Sequence, residues 1–267
     1  MTGATGHVGR YLVDELVAAG AAVRALTRHP GTAGLPAGVD VVRGDLAVPD
    51  SLDGALGGVD TVFLLWPFLD AGSAPAVLDV IAKHARRVVY LSAMSSSTFH
   101  ADVERAVERS GVAWTFLRPG GFATNTLGWV PQIRADGVVR WPYGAAARSL
   151  IHERDIAAVA ARTLLDPGHD GKAYVLTGPA AITQAEQVRT IGETIGHPDA
   201  RWAEIPASVA REQLLARGWT EEFADGALRY WASLVTEPEP VTSTVEELTG
   251  RPARTFREWA IDQFRTP

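Results

Sequence analysis

Three glycines open the chain at a fixed interval, Gly3, Gly6 and Gly9 in MTGATGHVGR. A glycine-rich turn that enters a helix exposes backbone N–H groups to a pyrophosphate, and the positive end of the helix favours that charge. Gly3 permits the tight turn, Gly6 lets phosphates come close, and Gly9 lets the helix pack tightly on a sheet. Thr5, His7 and Val8 complete the expected contact surface of the loop. Sites that take NAD usually hold the ribose hydroxyls with an Asp or Glu about 20 residues past such a loop. This chain has RALTRHP there, with no acid and with Arg28 just past the strand. An arginine can grip a 2′-phosphate with two charge-assisted hydrogen bonds, which favours NADPH over NADH; a solvated surface arginine is the plainer alternative. Further on, Asp45 and Leu46 of GDL are placed to cover an adenine, with Asp45 accepting from its amino group.

A second group of residues has the types that move protons. His100 and Glu104 stand one turn apart on one face of a helix. A carboxylate there raises the imidazole pKa and fixes its tautomer, which makes His100 a candidate proton donor near neutral pH. A partly exposed residue at a helix start is the structural alternative. Ser92, with Ser95 and Ser96, ends the preceding strand, where a hydroxyl reaches substrate or a nicotinamide ribose, or simply closes a turn. Asp155 reads as a helix N-cap rather than an acid catalyst. His84, His100, His152, His169 and His197 fall on different elements, so no metal is expected.

The elements that must position these groups alternate. Val8, Leu12, Val13, Leu16 and Val17 follow helical spacing up to a cap at Gly20. AAVRAL (21–26) and VDVVRGDL (39–46) read as strands, and PDSLDGALGG (49–58) as a short helix. VDTVFLLW (59–66) is the continuous apolar run of a strand buried on both faces. A helix at about 73–85, the strand RVVYLSA (87–93), the helix 99–111 and the strand AWTFLRP (113–119) follow. This alternation predicts a doubly wound parallel α/β sheet, with nucleotide across the carboxyl ends of its strands. Residues 120–150, rich in Gly, Pro and Trp, read as pocket-building loops. Residues 155–165 form an Ala-rich helix, 171–178 a strand, and 183–264 are mostly helical. The organisation expected is a nucleotide-binding core over 1–150, with 151–267 supplying further core elements and a small, mostly helical substrate lobe that does not fold alone.

Several segments together resemble the NmrA-like family of atypical short-chain dehydrogenase/reductases. They are TGATGHVG (2–9), TR (27–28), GDL (44–46), VVYLSA (88–93), SGVAWTFLRPGGF (110–122) and DIAAVAA (155–161), with GKAYVLTGP (171–179) and TGRPARTFREWA (249–260) extending the likeness over nearly the whole chain. The resemblance implies a Rossmann core, a small C-terminal lobe and a substrate cleft between them. It does not imply one reaction, since the family mixes NADPH-dependent quinone reductases with nucleotide-sensing regulators. Short-chain reductases commonly donate the proton from a Tyr-x-x-x-Lys pair. Here Tyr11, Tyr90, Tyr143, Tyr174 and Tyr230 are followed four residues on by Glu15, Met94, Ala147, Gly178 and Leu234, so the pair is absent. LLWPF ends the fourth strand beside the cofactor, which places Leu65 and Trp66 there, Trp66 as a wall against an aromatic substrate or as core. RPGGF followed by Asn125 matches a segment that lines the nicotinamide pocket, which puts Phe122, Asn125, Trp129 and Trp141 with Met94 and His100 around the substrate. The expected activity is NADPH-dependent reduction of a small or aromatic carbonyl, quinone or imine by hydride transfer. A non-catalytic NADP(H) sensor and a cyclase or isomerase on the same fold are the alternatives.

The 267 residues carry a formal charge of −6 and no basic run, which argues against nucleic acid and anionic lipid as partners. The absence of cysteine excludes disulfides and thiol chemistry, and no apolar stretch or leader marks a membrane or export route. A cytoplasmic monomer or homodimer acting on a small molecule is expected. One feature conflicts with the rest: a loop of this kind hangs from a buried strand, and only Met1 precedes it. The first strand is therefore expected to be truncated. A start further upstream would restore it; otherwise the centre of the usual 3-2-1-4-5 order is missing and its neighbours keep unpaired backbone groups.

Overall fold

The computed structural model describes residues 1–94 and 99–264. In chain order, α1 (His7–Ala18), β1 (Arg24–Thr27), β2 (Asp40–Arg43), α2 (Asp53–Leu56), β3 (Thr61–Leu65), α3 (Ala74–His84), β4 (Arg87–Leu91), α4 (Phe99–Arg109) and β5 (Ala113–Pro119) alternate as the periodicity requires. Then come α5 (Val130–Asp136), β6 (Val138–Trp141), β7 (Ala147–Arg148), α6 (Glu153–Leu165), β8 (Lys172–Leu176), β9 (Ile182–Thr183), α7 (Gln184–Ile195), β10 (Arg201–Glu204), α8 (Ala207–Ala216), α9 (Glu221–Ser233), α10 (Thr244–Thr249) and α11 (Phe256–Phe264). The chain folds as two compact units, one of residues 1–120, 153–176 and 244–251, the other of 121–152, 177–243 and 252–267.

The first unit holds the parallel sheet. β3, β4, β5 and β8 pair in that order, all parallel, and β1 pairs with β2, also parallel. Val62, Phe63 and Leu64 of β3 are all buried, as a strand covered on both faces must be. α1 buries Val8, Leu12, Val13 and Leu16 while leaving its charged face exposed. α3 turns Val77, Leu78 and Ile81 inward, and α4 turns Val103, Ala106 and Val107.

Between β1 and β3 no strand runs among the described residues. Met1 and Thr2 bridge the two: the Met1 amine donates to Arg24 O at 2.6 Å, Leu26 N–H donates to Met1 O at 2.9 Å, and Thr2 N–H donates to Phe63 O at 3.0 Å. The parallel strands thus form two separate sheets, β1-β2 and β3-β4-β5-β8. Burial, with the charge of Arg24 adding to it, lowers the pKa of this amine from 8.0 to about 6. The unfolded chain takes up a proton there first. Stability is therefore full above about pH 8 and declines as pH falls toward 6, by an amount on the order of 2 kcal/mol. Urea midpoints at pH 8.5 and 6.5 measure it, and the lower pH is expected to give the lower midpoint.

The second unit corrects the expectation of loops over 120–150. Pro131 sits in the first turn of α5, Gly137 closes it in the left-handed region at φ +74°, and β6 pairs in parallel with β10. The Val-Val-Arg-Trp run is a strand because a partner arrives from residues 201–204, distant in sequence. Thr183 and Glu186 form a capping box that starts α7. Ile133, Val188, Ile191, Phe256 and Trp259 pack into the core of this unit. Among the described residues, no helix is long and apolar enough to cross a membrane.

Candidate functional site

The site in the first unit starts at the glycine turn. Gly3 has φ +67°, a conformation that L side chains rarely adopt, and Gly6 N–H returns to Gly3 O at 3.0 Å. A Cβ on Gly9 would land on the carbonyl oxygen of Gly3, so only glycine lets α1 lie this close to the turn. No side chain caps the N-terminus of α1, which leaves its first amides directed out of the helix. Arg10 straps the turn from outside, its Nε donating to Thr5 O at 3.0 Å and its Nη1 to Gly34 O at 3.2 Å.

A cavity of about 450 Å³ runs from this turn along the ends of the strands. Gly3, Thr5, Arg28, Asp45, Leu46 and Leu65 line it, so residues from four separate segments of the sequence meet there. Arg28 is exposed and makes no hydrogen bond or ion pair with any described residue, so its guanidinium is available to a ligand. Asp45 spends one carboxylate oxygen on its own turn, accepting from Ala47 N–H at 2.9 Å. The cavity also takes in His29, Thr32, Pro67 and Phe68, which the spacing did not single out. Their only sequence signal is position: His29 follows Arg28, and Pro67 and Phe68 follow the strand β3. The glycine cradle, the uncapped helix and the free Arg28 fit a dinucleotide with a 2′-phosphate.

Other expected contacts are placed differently. His7 is exposed at the start of α1, whereas the Val8 side chain is 3% exposed and packs in the core. Trp66 is buried in the core, its indole N–H donating to Asp70 O at 2.7 Å and its ring edge-on to Phe68. Neither His7, Val8 nor Trp66 lines the cavity; Pro67 and Phe68 form the wall near that strand end.

The proton-handling residues gather at the junction of β4 and α4. Ser92 is 4% exposed, and its hydroxyl finds no partner among the described residues. Met94 is half-buried, with its N–H on Pro119 O at 2.9 Å. Ser95 and Ser96 lie outside the described residues. His100 Nδ1 is 2.7 Å from the hydroxyl of the fully buried Tyr90. Glu104 is engaged elsewhere, in a two-pronged ion pair with Arg118 at 2.9 and 2.6 Å. The net pKa of His100 is lowered, because burial outweighs the opposing charge of Glu104. Glu104 does act in the expected direction, but burial wins, and near pH 7 the imidazole is neutral. Tyr90 is held well above its usual range by burial and by Glu104, so it stays protonated. Glu104→Gln is expected to lower stability by about 1–2 kcal/mol, a modest loss because the Arg118 side chain is 36% exposed. Urea denaturation checks it.

In the second unit, Phe122 bridges to Ile151 and Asn125 is exposed. Trp129 stands edge-on to Trp202 at 5.4 Å. Trp141 is 6% exposed, against Trp231 and under Arg217, so it belongs to the core of that unit. Asp155 is the third residue of α6 and buried, which replaces the expected N-cap position; α6 begins two residues earlier.

Comparison with known proteins agrees with this geometry. The family model described as NAD(P)H-binding matches residues 3–167. A (4-alkanoyl-5-oxo-2,5-dihydrofuran-3-yl)methyl phosphate reductase of Streptomyces griseus is 40% identical, over 98% of this chain and 96% of its own. An NAD(P)H azoreductase of Xenophilus azovorans is 36% identical, over 97% and 96%. The crystal structure of an NADPH-dependent quinone oxidoreductase of Escherichia coli superposes with a TM-score of 0.82 at 25% identity, over 98% of both chains. With the family model matched over residues 3–167, and reductases among its relatives along nearly its full length, the chain belongs to the NAD(P)H-binding family as a reductase of the NmrA-like type.

Proposed function

We propose that the protein reduces a conjugated, electron-poor acceptor, such as a quinone, an azo compound or an unsaturated lactone, with NADPH as the hydride source. The observation that carries the cofactor choice is Arg28, a cavity-lining guanidinium with no partner among the described residues, in a stretch, RALTRHP, that holds no acid to meet a ribose 2′-hydroxyl. NADPH, when bound, supplies a hydride from C4 of its nicotinamide. The backbone at Gly3–Val8 and the first turn of α1 hold the pyrophosphate, Arg28 holds the 2′-phosphate, and Leu46 and Asp45 cover the adenine. Leu65 and Phe68 exclude water along the strand ends. Ser92, whose hydroxyl has no partner among the described residues, orients the reacting end by donating to the acceptor oxygen or to the nicotinamide ribose.

The absent Tyr-x-x-x-Lys pair supports the substrate class. Hydride addition to a simple ketone creates a strongly basic alkoxide that needs a positioned acid. Addition to a quinone, enone or azo group creates a delocalised anion, a far weaker base, which solvent can protonate. His100, neutral and tied to Tyr90, is then not required as an acid. The names of the Streptomyces and Xenophilus relatives share this type of acceptor. The proposal includes a cytoplasmic monomer or homodimer as the acting form. NADPH deuterated at C4 tests the proposal: deuterium is expected in the reduced enone, while a simple ketone is left unreacted. A ketone reduced as readily as the enone would overturn the substrate class.

A further inference from the structure

His29 follows Arg28 in the chain and lines the same cavity. Its main chain is tied on both sides. The N–H donates to Thr27 Oγ1 at 3.2 Å, and the carbonyl accepts from Thr32 N–H and Thr32 Oγ1, each at 3.3 Å. Pro30 stiffens the next position, and the buried Ala33 anchors the far end of the turn. The imidazole takes no part in this. It is exposed, does not cap the turn, and has no hydrogen bond or ion pair with any described residue. A fixed backbone thus presents two basic side chains, both without protein partners, to one cavity. Few other charges stand near them. Asp45 is the third titratable residue of the lining, with its Oδ1 on Ala47 N–H. On β2, which packs against the turn at Pro30–Thr32, Asp40 is paired with Arg24, and Arg43 is exposed but does not line the cavity. From α1, Arg10 is spent on Thr5 O and Gly34 O. Among the side chains of the lining, histidine alone is of a type that changes charge between pH 5 and 8.

We infer that His29 is a second reader of the 2′-phosphate, and that through it the preference for NADPH over NADH rises as pH falls. The inference rests on the reading of Arg28 given above. A phosphate monoester near pH 7 carries about 1.5 to 2 negative charges and three acceptor oxygens. The guanidinium fork of Arg28 occupies two of those oxygens and leaves one for a neighbour. A neutral imidazole brings at most one donor and no charge; a protonated one brings two donors and a full charge. NADH presents a hydroxyl there, with no charge to meet. Because the protonated form binds the phosphate more tightly, NADPH binding must in turn draw a proton onto His29. Both residues are open to solvent, so the gain is that of an exposed ion pair with a charge-assisted hydrogen bond, about 3- to 10-fold in affinity.

Titration calorimetry with NADPH and NADH tests this on the parent protein, His29→Gln and His29→Arg. Affinities are taken at pH 6.5 and 8.5, and proton uptake at pH 7 from two buffers of different ionisation heat. In the parent, the NADPH-to-NADH affinity ratio is expected to rise about 3- to 10-fold from pH 8.5 to 6.5, with a proton taken up on binding NADPH but not NADH. His29→Gln is expected to lose both effects. Titration of the phosphate itself is common to all three proteins and cancels in the comparison. His29→Arg is expected to show at pH 8.5 the ratio that the parent reaches only at pH 6.5. The side chain bonds to nothing in the protein, so Tm of both variants is expected within about 2 °C of the parent. An equal preference for NADPH at both pH values would overturn the inference and leave Arg28 in its role. So would a pH-dependent ratio that survives unchanged in His29→Gln. A preference present at pH 6.5 alone would support His29 and contradict Arg28; no preference at either pH would overturn both.

Discussion

Gly9→Ala is expected to weaken NADPH binding by about 100-fold and to lower stability by about 1–3 kcal/mol. The added methyl group would occupy the space of the Gly3 carbonyl, with the Ala4 backbone close behind. Both are main-chain atoms, so no rotamer change relieves the overlap and α1 must move away from the turn. Its first amides then no longer converge on one point, and each charge-assisted hydrogen bond to phosphate is worth roughly 1.5–3 kcal/mol. Gly6→Ala separates binding from stability. A Cβ there would lie 3.3 Å from Gly3 O, a contact that small adjustments absorb. That variant is expected to hold Tm within about 2 °C and still lose affinity, because the methyl stands where phosphates approach. Thermal scans with fluorescence titration of NADPH distinguish the two; a Gly9→Ala protein that binds like the parent would refute the cradle.

Arg28→Ala is expected to raise KM for NADPH about 10- to 100-fold and to leave KM for NADH within about twofold. Arg28 has no other partner among the described residues, so its removal leaves no buried group unpaired and Tm is expected to hold. The effect is electrostatic and exposed, and it shrinks as salt rises. Arg28→Lys is expected to recover only part of the preference, because an ammonium lacks the paired donors of a guanidinium. Equal losses for both nucleotides would mean that Arg28 shapes the cavity instead of reading the 2′-phosphate.

Much of the fold was legible because period and punctuation agree along the first 119 residues. The glycine turn, Arg28, Asp45, Leu46 and Leu65 could be named in advance, since each is fixed by its distance from a strand end, and they share one cavity. Direction along an element was not legible. Trp66 and Pro67 are neighbours in LLWPF just past the end of β3, yet the first is buried in the core and the second is exposed at the cavity. β6 could not be seen at 138–141 because its partner lies some sixty residues on. The His100–Glu104 spacing did place two groups on one helix face. Spacing carries no information about Arg118 on β5, which takes the carboxylate, or about the burial that lowers the imidazole pKa.

The most direct measurement is NADPH consumption by the purified protein with a quinone, an azo dye and an enone, repeated with NADH. Turnover with at least one of these acceptors is expected, with NADPH preferred by about tenfold or more in kcat/KM, and with that preference lost in Arg28→Ala. A folded protein that binds NADPH but leaves all three acceptors unreduced would contradict the account.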